Sequence, residues 1–217
     1  MHTQTQFLQS QLTPRKTYDL LIAGNARFIN NIRLHRNLLS QVNATSDGQF
    51  PFAIILSCID SRTSAELIFD QGLGDIFSVR IAGNVLNEDV LGSMEYACAV
   101  AGSKLVVVLG HSRCGAVTGA CSHLKLGHLT GLLGKIGPAL YEVERDGGRN
   151  LEREAFIERV ARENVRQQLR AITERSSILE HLVSEGTIGL VGGLYSVETG
   201  AVEFFEERFV ENTAPAL

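Results

Sequence analysis

Long apolar runs are missing from this 217-residue chain. None approaches the ~20 residues that a bilayer-spanning helix needs, so no such span is expected and no membrane partner is implied. An excess of one charge is missing too: 20 Lys and Arg against 24 Asp and Glu leave a net charge of −4. That balance gives no electrostatic footprint for nucleic acid or an anionic membrane surface. The stretch Met1 to Gln11 lacks the basic-then-apolar layout of a signal peptide, so a cytoplasmic setting is expected. Thiols stay reduced there, and the four cysteines read as ligands or core residues rather than disulfides. Internal repeats and low-complexity segments are absent. Three catalytic signatures also fail. Gly131-Leu-Leu-Gly134-Lys135 is like the end of a phosphate loop, but Leu129 and Ile136 stand where Gly and Ser/Thr are required. Gly72-Leu-Gly74 has Phe77 in place of the third glycine of a dinucleotide fingerprint, and no G-x-S-x-G elbow exists for a Ser-His-Asp hydrolase.

What is present is ordinary for a folded domain: 44% hydrophobic and 20% charged residues, with a length that suits one α/β domain over 1–217. Residues 1–14 are polar and read as a loose arm. An N-terminal helix follows within 15–35, where Tyr18, Leu21, Ile22, Ala26, Ile29 and Ile32 recur at helical spacing. Its apolar face is expected to pack on a partner subunit. Residues 40–51 read as a loop. Strand–helix alternation then begins. Strands are predicted at Phe52–Ser57, Ile76–Ile81 and Lys104–Leu109, and helices at Ser64–Phe69, Asn87–Val100 and from Cys114 onward. Asn87 suits a helix cap, with Glu88 and Asp89 in the first turn. A long charged helix is predicted over Leu151–Ile172, and two strands at Thr187–Tyr195 and Ala201–Phe205 flank a Glu198-Thr199-Gly200 turn. Apolar strands without alternation, separated by helices, imply a mostly parallel central sheet flanked by helices, with an N-terminal helical arm and a C-terminal strand or hairpin extension.

Two clusters 53 positions apart carry the chemistry: Cys58-Ile-Asp60-Ser-Arg62 and His111-Ser-Arg-Cys114. Each falls at the carboxyl end of a predicted strand, where sites lie in such sheets. Cys58, His111 and Cys114 supply two thiolates and an imidazole, a donor set for zinc that leaves one position open, as in catalytic rather than structural sites. Two thiolates cancel the charge of Zn²⁺, and a neutral centre acidifies bound water less than a cationic one. Asp60 is placed to help orient the nucleophile, and Arg62 to keep Asp60 ionised and aligned. Cys98 and Cys121 are read as core. Cys121 with His123 and His128 is the alternative second metal site.

At these residues the chain resembles the β-class carbonic anhydrases, whose pattern is Cys-x-Asp-x-Arg followed by His-x-x-Cys-Gly, here ending at Gly115. The linking Phe77-Ser-Val-Arg80-Ile-Ala-Gly83-Asn84 and Ser93-Met-Glu-Tyr96 fit as well, as do Leu21–Phe28 and Gly193–Gly200. The resemblance implies a zinc enzyme, with one Zn²⁺ per subunit on Cys58, His111 and Cys114. It implies reversible hydration of CO₂ to bicarbonate and a proton by hydroxide on zinc, with Asp60 and Arg62 as the catalytic dyad. It also implies a substrate pocket involving Gln49, Phe77, Tyr96 and Gly115, and a homodimer or homotetramer. Ile55 stands where members with a closed, Asp-ligated zinc carry Trp, so the open form is expected, with Asp60 a fourth ligand only in a closed form. The competing readings are hydrolysis of carbonyl sulfide or carbon disulfide at the same site, and a non-catalytic zinc-binding regulatory protein.

Overall fold

The computed structural model describes residues 3–210. Its centre is the valine-rich run that the sequence marks as buried strand. β1 (Ala53–Ser57) pairs in parallel with β2 (Ile76–Arg80) on one side and β3 (Leu105–His111) on the other. β3 pairs in parallel with β4 (Gly189–Tyr195), and β5 (Val202–Arg208) closes the edge antiparallel to β4. The order β2-β1-β3-β4-β5 gives a five-stranded, mostly parallel sheet among the described residues. β1, β3 and β4 are buried along their whole length, because helices cover both faces.

Alternate residues of each strand serve the two cores. Ile54, Leu56, Val106, Val108 and Leu190 face one layer. That layer includes α5 (Glu88–Glu95), α9 (Arg153–Arg175) and α10 (Ser177–Ser184). Ala53, Ile55, Leu105, Val107 and Val191 face the other, where Tyr18 and Leu21 of α2 (Pro14–Ile29) meet Ala65 and Ile68 of α4 (Ala65–Ile68). α9 lies close against the sheet because β3 and β4 present glycine beneath it. A Cβ on Gly192 would come within 2.5 Å of Leu169 Cδ1 and 2.8 Å of Val165 Cγ1, and one on Gly110 within 2.9 Å of Val165 Cγ2.

Asn87 caps α5 by accepting from Val90 N–H, as its position predicts. The last turn of that helix, Tyr96–Val100, widens to a π-helix. Several expectations need correction. The arm is not loose where it is described: Thr5 caps a short α1 (Gln6–Ser10), and buried Gln9 donates to the carbonyls of Pro51 and Ala101. Residues 1–2 lie outside the described residues. The predicted 40–51 loop begins as helix, since Asn37 caps α3 (Leu38–Ala44). α2 ends at Ile29, beyond which Asn31 adopts a left-handed φ of 55°. Its buried face (Tyr18, Leu21, Gly24, Asn25) packs on this chain, while Ile22 and Ile29 stay exposed. His111 is the last residue of β3 rather than a loop residue beyond it. Three further helices escape the sequence pattern: α10, α7 (Gly127–Gly134) and α8 (Gly137–Arg145). α6 (Gly115–Cys121) starts directly after Cys114.

Candidate metal centre

The two parallel strands that carry the clusters stop at nearly the same level, β3 running two residues past the end of β1, so their ends form one rim. Cys58 follows β1, His111 ends β3, and Cys114 occupies the position before the first turn of α6. Their ligand atoms lie within 4.8 Å of one another and all three residues are buried. The Sγ atoms of Cys58 and Cys114 are 4.0 Å apart. A disulfide needs about 2.05 Å. Two thiolates on a tetrahedral zinc at about 2.3 Å each would stand roughly 3.8 Å apart. The spacing therefore suits a shared cation. His111 agrees with this. Its Nδ1 lies 2.9 Å from the Ser112 carbonyl, so that nitrogen carries the proton. Nε2 is left buried and without a partner. A buried unpaired acceptor is unfavourable by about 1–3 kcal/mol, and a metal ion would satisfy it. The described residues contain no other His/Cys/Asp/Glu group of this kind. Cys98 is buried in the core and Cys121 is half-buried, and among the described residues Cys121, His123 and His128 form no such ligand group, which sets that alternative aside.

The thiols are tuned by one another. The Cys114 side chain is the main influence holding the Cys58 thiol down to about 4, against burial, with help from Gly83 N–H, 3.4 Å from Sγ. The Cys114 thiol is pushed up by Cys58 and by burial, although the first amides of α6 oppose this. One thiolate forms easily, and the second forms when a cation is there to receive it.

Beside this group Asp60 is turned toward Arg62. Asp60 Oδ1 accepts from Arg62 N at 3.0 Å and from Nε at 2.9 Å, while Oδ2 accepts from Nη2 at 2.8 Å. Arg62 is the chief reason that the Asp60 carboxyl sits well below the usual carboxylate range. Two residues that sequence reasoning did not single out hold the loop. Arg80, at the end of β2, donates from Nε to the Cys58 carbonyl at 3.1 Å and from Nη2 to the Asp60 carbonyl at 2.6 Å. Thr63 Oγ1 donates to the same two carbonyls. The register that sets Arg80 opposite Ser57 is the signal that would have found it.

The proposed substrate residues divide. Gly115 is exposed at the start of α6, next to Cys114, with open space where a Cβ would be. Phe77 and Tyr96 meet edge to face, with ring centroids 6.3 Å apart. They line a groove of about 700 Å³ with Ile54, Val79, Glu88 and Ser93. Phe77 is level with Ile54 in the sheet, four residues and so about 13 Å along the strand from Cys58. Gln49 is exposed and precedes β1, at the opposite end of that strand from Cys58. The expectation that Gln49, Phe77 and Tyr96 share a pocket with the metal group is therefore corrected for the single chain: the five-residue strand β1 separates them.

Known proteins share both the sequence and the fold. The family model described as carbonic anhydrase matches residues 53–202. Carbonic anhydrase 2 of Mycobacterium tuberculosis is 36% identical over 193 residues, covering 86% of this chain and 90% of that protein. Among solved structures, the β-carbonic anhydrase CcaA is 29% identical with a TM-score of 0.70, covering 87% of this chain and 95% of that one. The β-carbonic anhydrase CafA of Aspergillus fumigatus is 26% identical with a TM-score of 0.72, covering 87% and 90%. β-Carbonic anhydrases use zinc, and the Cys58–His111–Cys114 group offers the donors zinc requires. With sequence, fold and donor set in agreement, the chain belongs to the β-class carbonic anhydrase family.

Proposed function

We propose that this protein catalyses the reversible, zinc-dependent hydration of CO₂ to bicarbonate and a proton. The observation that carries the reading is Asp60, an ionised carboxylate locked by Arg62 beside the Cys58–His111–Cys114 group. A protein that only stored or sensed zinc would have no use for it. Cys58 Sγ, Cys114 Sγ and His111 Nε2 would hold the metal. Bound there, zinc supplies a water acidic enough to be a nucleophile near neutral pH. Arg62 occupies both Asp60 oxygens but leaves Oδ2 with a second lone pair. That lone pair accepts the O–H of the attacking water and aims its oxygen lone pair at the carbon of CO₂. Arg80 and Thr63 fix the loop, so Asp60 does not have to find this position at each turnover. The pairing with Arg62 also keeps Asp60 away from the metal, which supports the open form. The exposed Gly115 leaves room for substrate beside the ligands.

The same reading assigns Gln49, Phe77 and Tyr96 to the metal site of a second copy, because β1 keeps them from their own. Tyr96 is half-exposed in the Phe77 groove, and the exposed Ile22 and Ile29 of α2 add apolar surface for contact between copies. The working unit is thus a homodimer or a pair of dimers, each chain a single domain. A cytoplasmic setting belongs to this reading, since all four cysteines are free and two must stay reduced to bind metal.

Stopped-flow CO₂ hydration on zinc-quantified protein tests the reaction. Turnover is expected; release of sulfide from carbonyl sulfide in preference, or no turnover with zinc bound, would replace it with one of the competing readings. Mixing two inactive variants, Cys58→Ser and Gln49→Ala, tests the shared site. Mixed dimers regain activity if the copies complete each other, and none is regained if each chain is self-sufficient.

A further inference from the structure

The long helix α9 carries two amides on the face it turns to the core. Asn164 and Gln168 lie one turn apart among Val160, Val165, Leu169 and Ile172, and both are buried. Amides in such a place are costly unless fully hydrogen-bonded. These are joined in one chain of bonds. Gln168 Nε2 donates to Asn164 Oδ1 at 3.0 Å, Asn164 Nδ2 donates to the Gly83 carbonyl at 2.9 Å, and Leu86 N–H donates to Gln168 Oε1 at 2.8 Å. The helix thereby grips both ends of the segment from Gly83 to Leu86.

That segment needs holding. Gly83 has φ 70° and Asn84 φ 44°, two consecutive left-handed residues, the second of them not glycine. The site above Gly83 is tight, since a Cβ there would stand 2.8 Å from Ile136 Cδ1 and 3.2 Å from Ala116 Cβ. Its chemical output is a single group: Gly83 N–H, 3.4 Å from Cys58 Sγ. An N–H donated to a thiolate draws electron density from the sulfur, so the sulfur donates less to a cation. With two thiolates on one zinc the centre is formally neutral, and each such donor restores some of the Lewis acidity that the second sulfur removes.

We propose that Asn164 and Gln168 are positioning residues for the metal centre: through the Gly83–Leu86 segment they hold Gly83 N–H on Cys58 Sγ and so set the electron donation of that thiolate to the metal. This rests on the zinc reading of the Cys58–His111–Cys114 group.

The test replaces zinc by cobalt(II) in the full-length protein and records the thiolate-to-cobalt charge-transfer band, with metal affinity measured by chelator competition. Asn164→Ala and Gln168→Met remove the grip. Leu179→Ala, a buried apolar residue of α10 outside the hydrogen-bonded chain that holds the segment, is the control for general destabilisation. Both grip variants are expected to move the band to lower energy, because a sulfur freed of its N–H donor gives more electron density to the metal, and the chelator competition is expected to show the metal still bound. Leu179→Ala is expected to melt earlier with its band in place. Bands that stay put in the grip variants, or an equal shift in Leu179→Ala, overturn the proposal. If Asn164→Ala does not fold, Gln168→Met decides by the same criterion. A parent protein with no thiolate-to-cobalt band would instead sink the zinc reading itself.

Discussion

Replacing Asp60 by Asn isolates the lone pair on which the proposed reaction depends. A carboxylate has about four lone-pair sites, and Arg62 fills three of them through N, Nε and Nη2. The fourth, on Oδ2, is left for the nucleophile. An amide keeps the Oδ1 acceptors for Arg62 N and Nε but puts an NH₂ group where Oδ2 was. Donor then faces donor at Nη2, and the free acceptor is gone. Loss of one such oriented group at a reacting centre is worth on the order of 100- to 1,000-fold in kcat. Stability should barely respond, because Arg62 is solvent-exposed and exposed ion pairs contribute little. Zinc should stay bound, since Asp60 lies outside the ligand group. The sign of the pH effect follows from the direction of the shift. Arg62 lowers the Asp60 pKa, so the stabilising pairing is complete above the ordinary carboxylate value near 4 and fades only as pH falls through the lower, folded-state value. The ratio of parent to variant kcat should therefore be flat across neutral and mildly alkaline pH. The assay is stopped-flow hydration with zinc content and melting temperature measured on the same samples. A zinc-loaded variant as active as the parent would refute the role given to Oδ2, as would a ratio that titrates in the neutral range.

Two further perturbations probe the frame and the thiols. Gly24→Ala would put a Cβ 1.8 Å from the Phe69 carbonyl oxygen. Prising α2 from α4 breaks the bonds of Asn25 to Ile68 O, Gly200 O and Val202 N. At about 1 kcal/mol per bond plus about 1–3 for overpacking, the loss is about 4–6 kcal/mol. That corresponds to a fall of roughly 10–20 °C in melting temperature by circular dichroism; an unchanged melt would contradict the packing. In metal-free protein, ultraviolet thiolate absorbance should show one thiolate already present at neutral pH and lost only near the value of about 4 reached by Cys58. Because that pKa is lowered, the stability it contributes is complete above the ordinary thiol value near 8.5 and disappears as pH drops through the folded one. Absorbance that appears only in the alkaline range would refute the coupling.

The sheet and the metal group were legible in the sequence because they rest on local signals. The valine run of β3 and the cluster that ends it lie next to each other in the chain, and a strand end fixes where its last side chains can go. What escaped was written in polar or glycine-rich residues. Gly127, Gly131, Gly134 and Gly137 lower helix propensity through 127–137, yet α7 and α8 form because Leu133, Ile136, Ala139 and Leu140 are buried against the metal-site core. Gln9 makes the arm part of the fold through two backbone carbonyls, which no hydrophobic pattern announces. Asn164 and Gln168 are polar residues buried on the core face of α9, a placement that hydrophobic periodicity does not mark. Gln49, Phe77 and Tyr96 were recognised by resemblance, which carries identity but not which copy of the chain a residue serves.

The glycines beneath α9 reach further than packing. They fix the height at which a rigid 23-residue rod rides over the sheet, and that rod bears the amides that hold Gly83. Height at one end becomes aim at the other, as in a lever resting on a fulcrum. A single methyl at Gly192, pressing on Leu169 and Val165, would lift the rod and slacken Asn164 on the Gly83 carbonyl. The cobalt band of Gly192→Ala would register that slackening, and an unmoved band would show the rod to be free of the sheet. In this fold the smoothness of two strands acts as a mechanical setting for the electron supply of a sulfur atom that neither glycine touches.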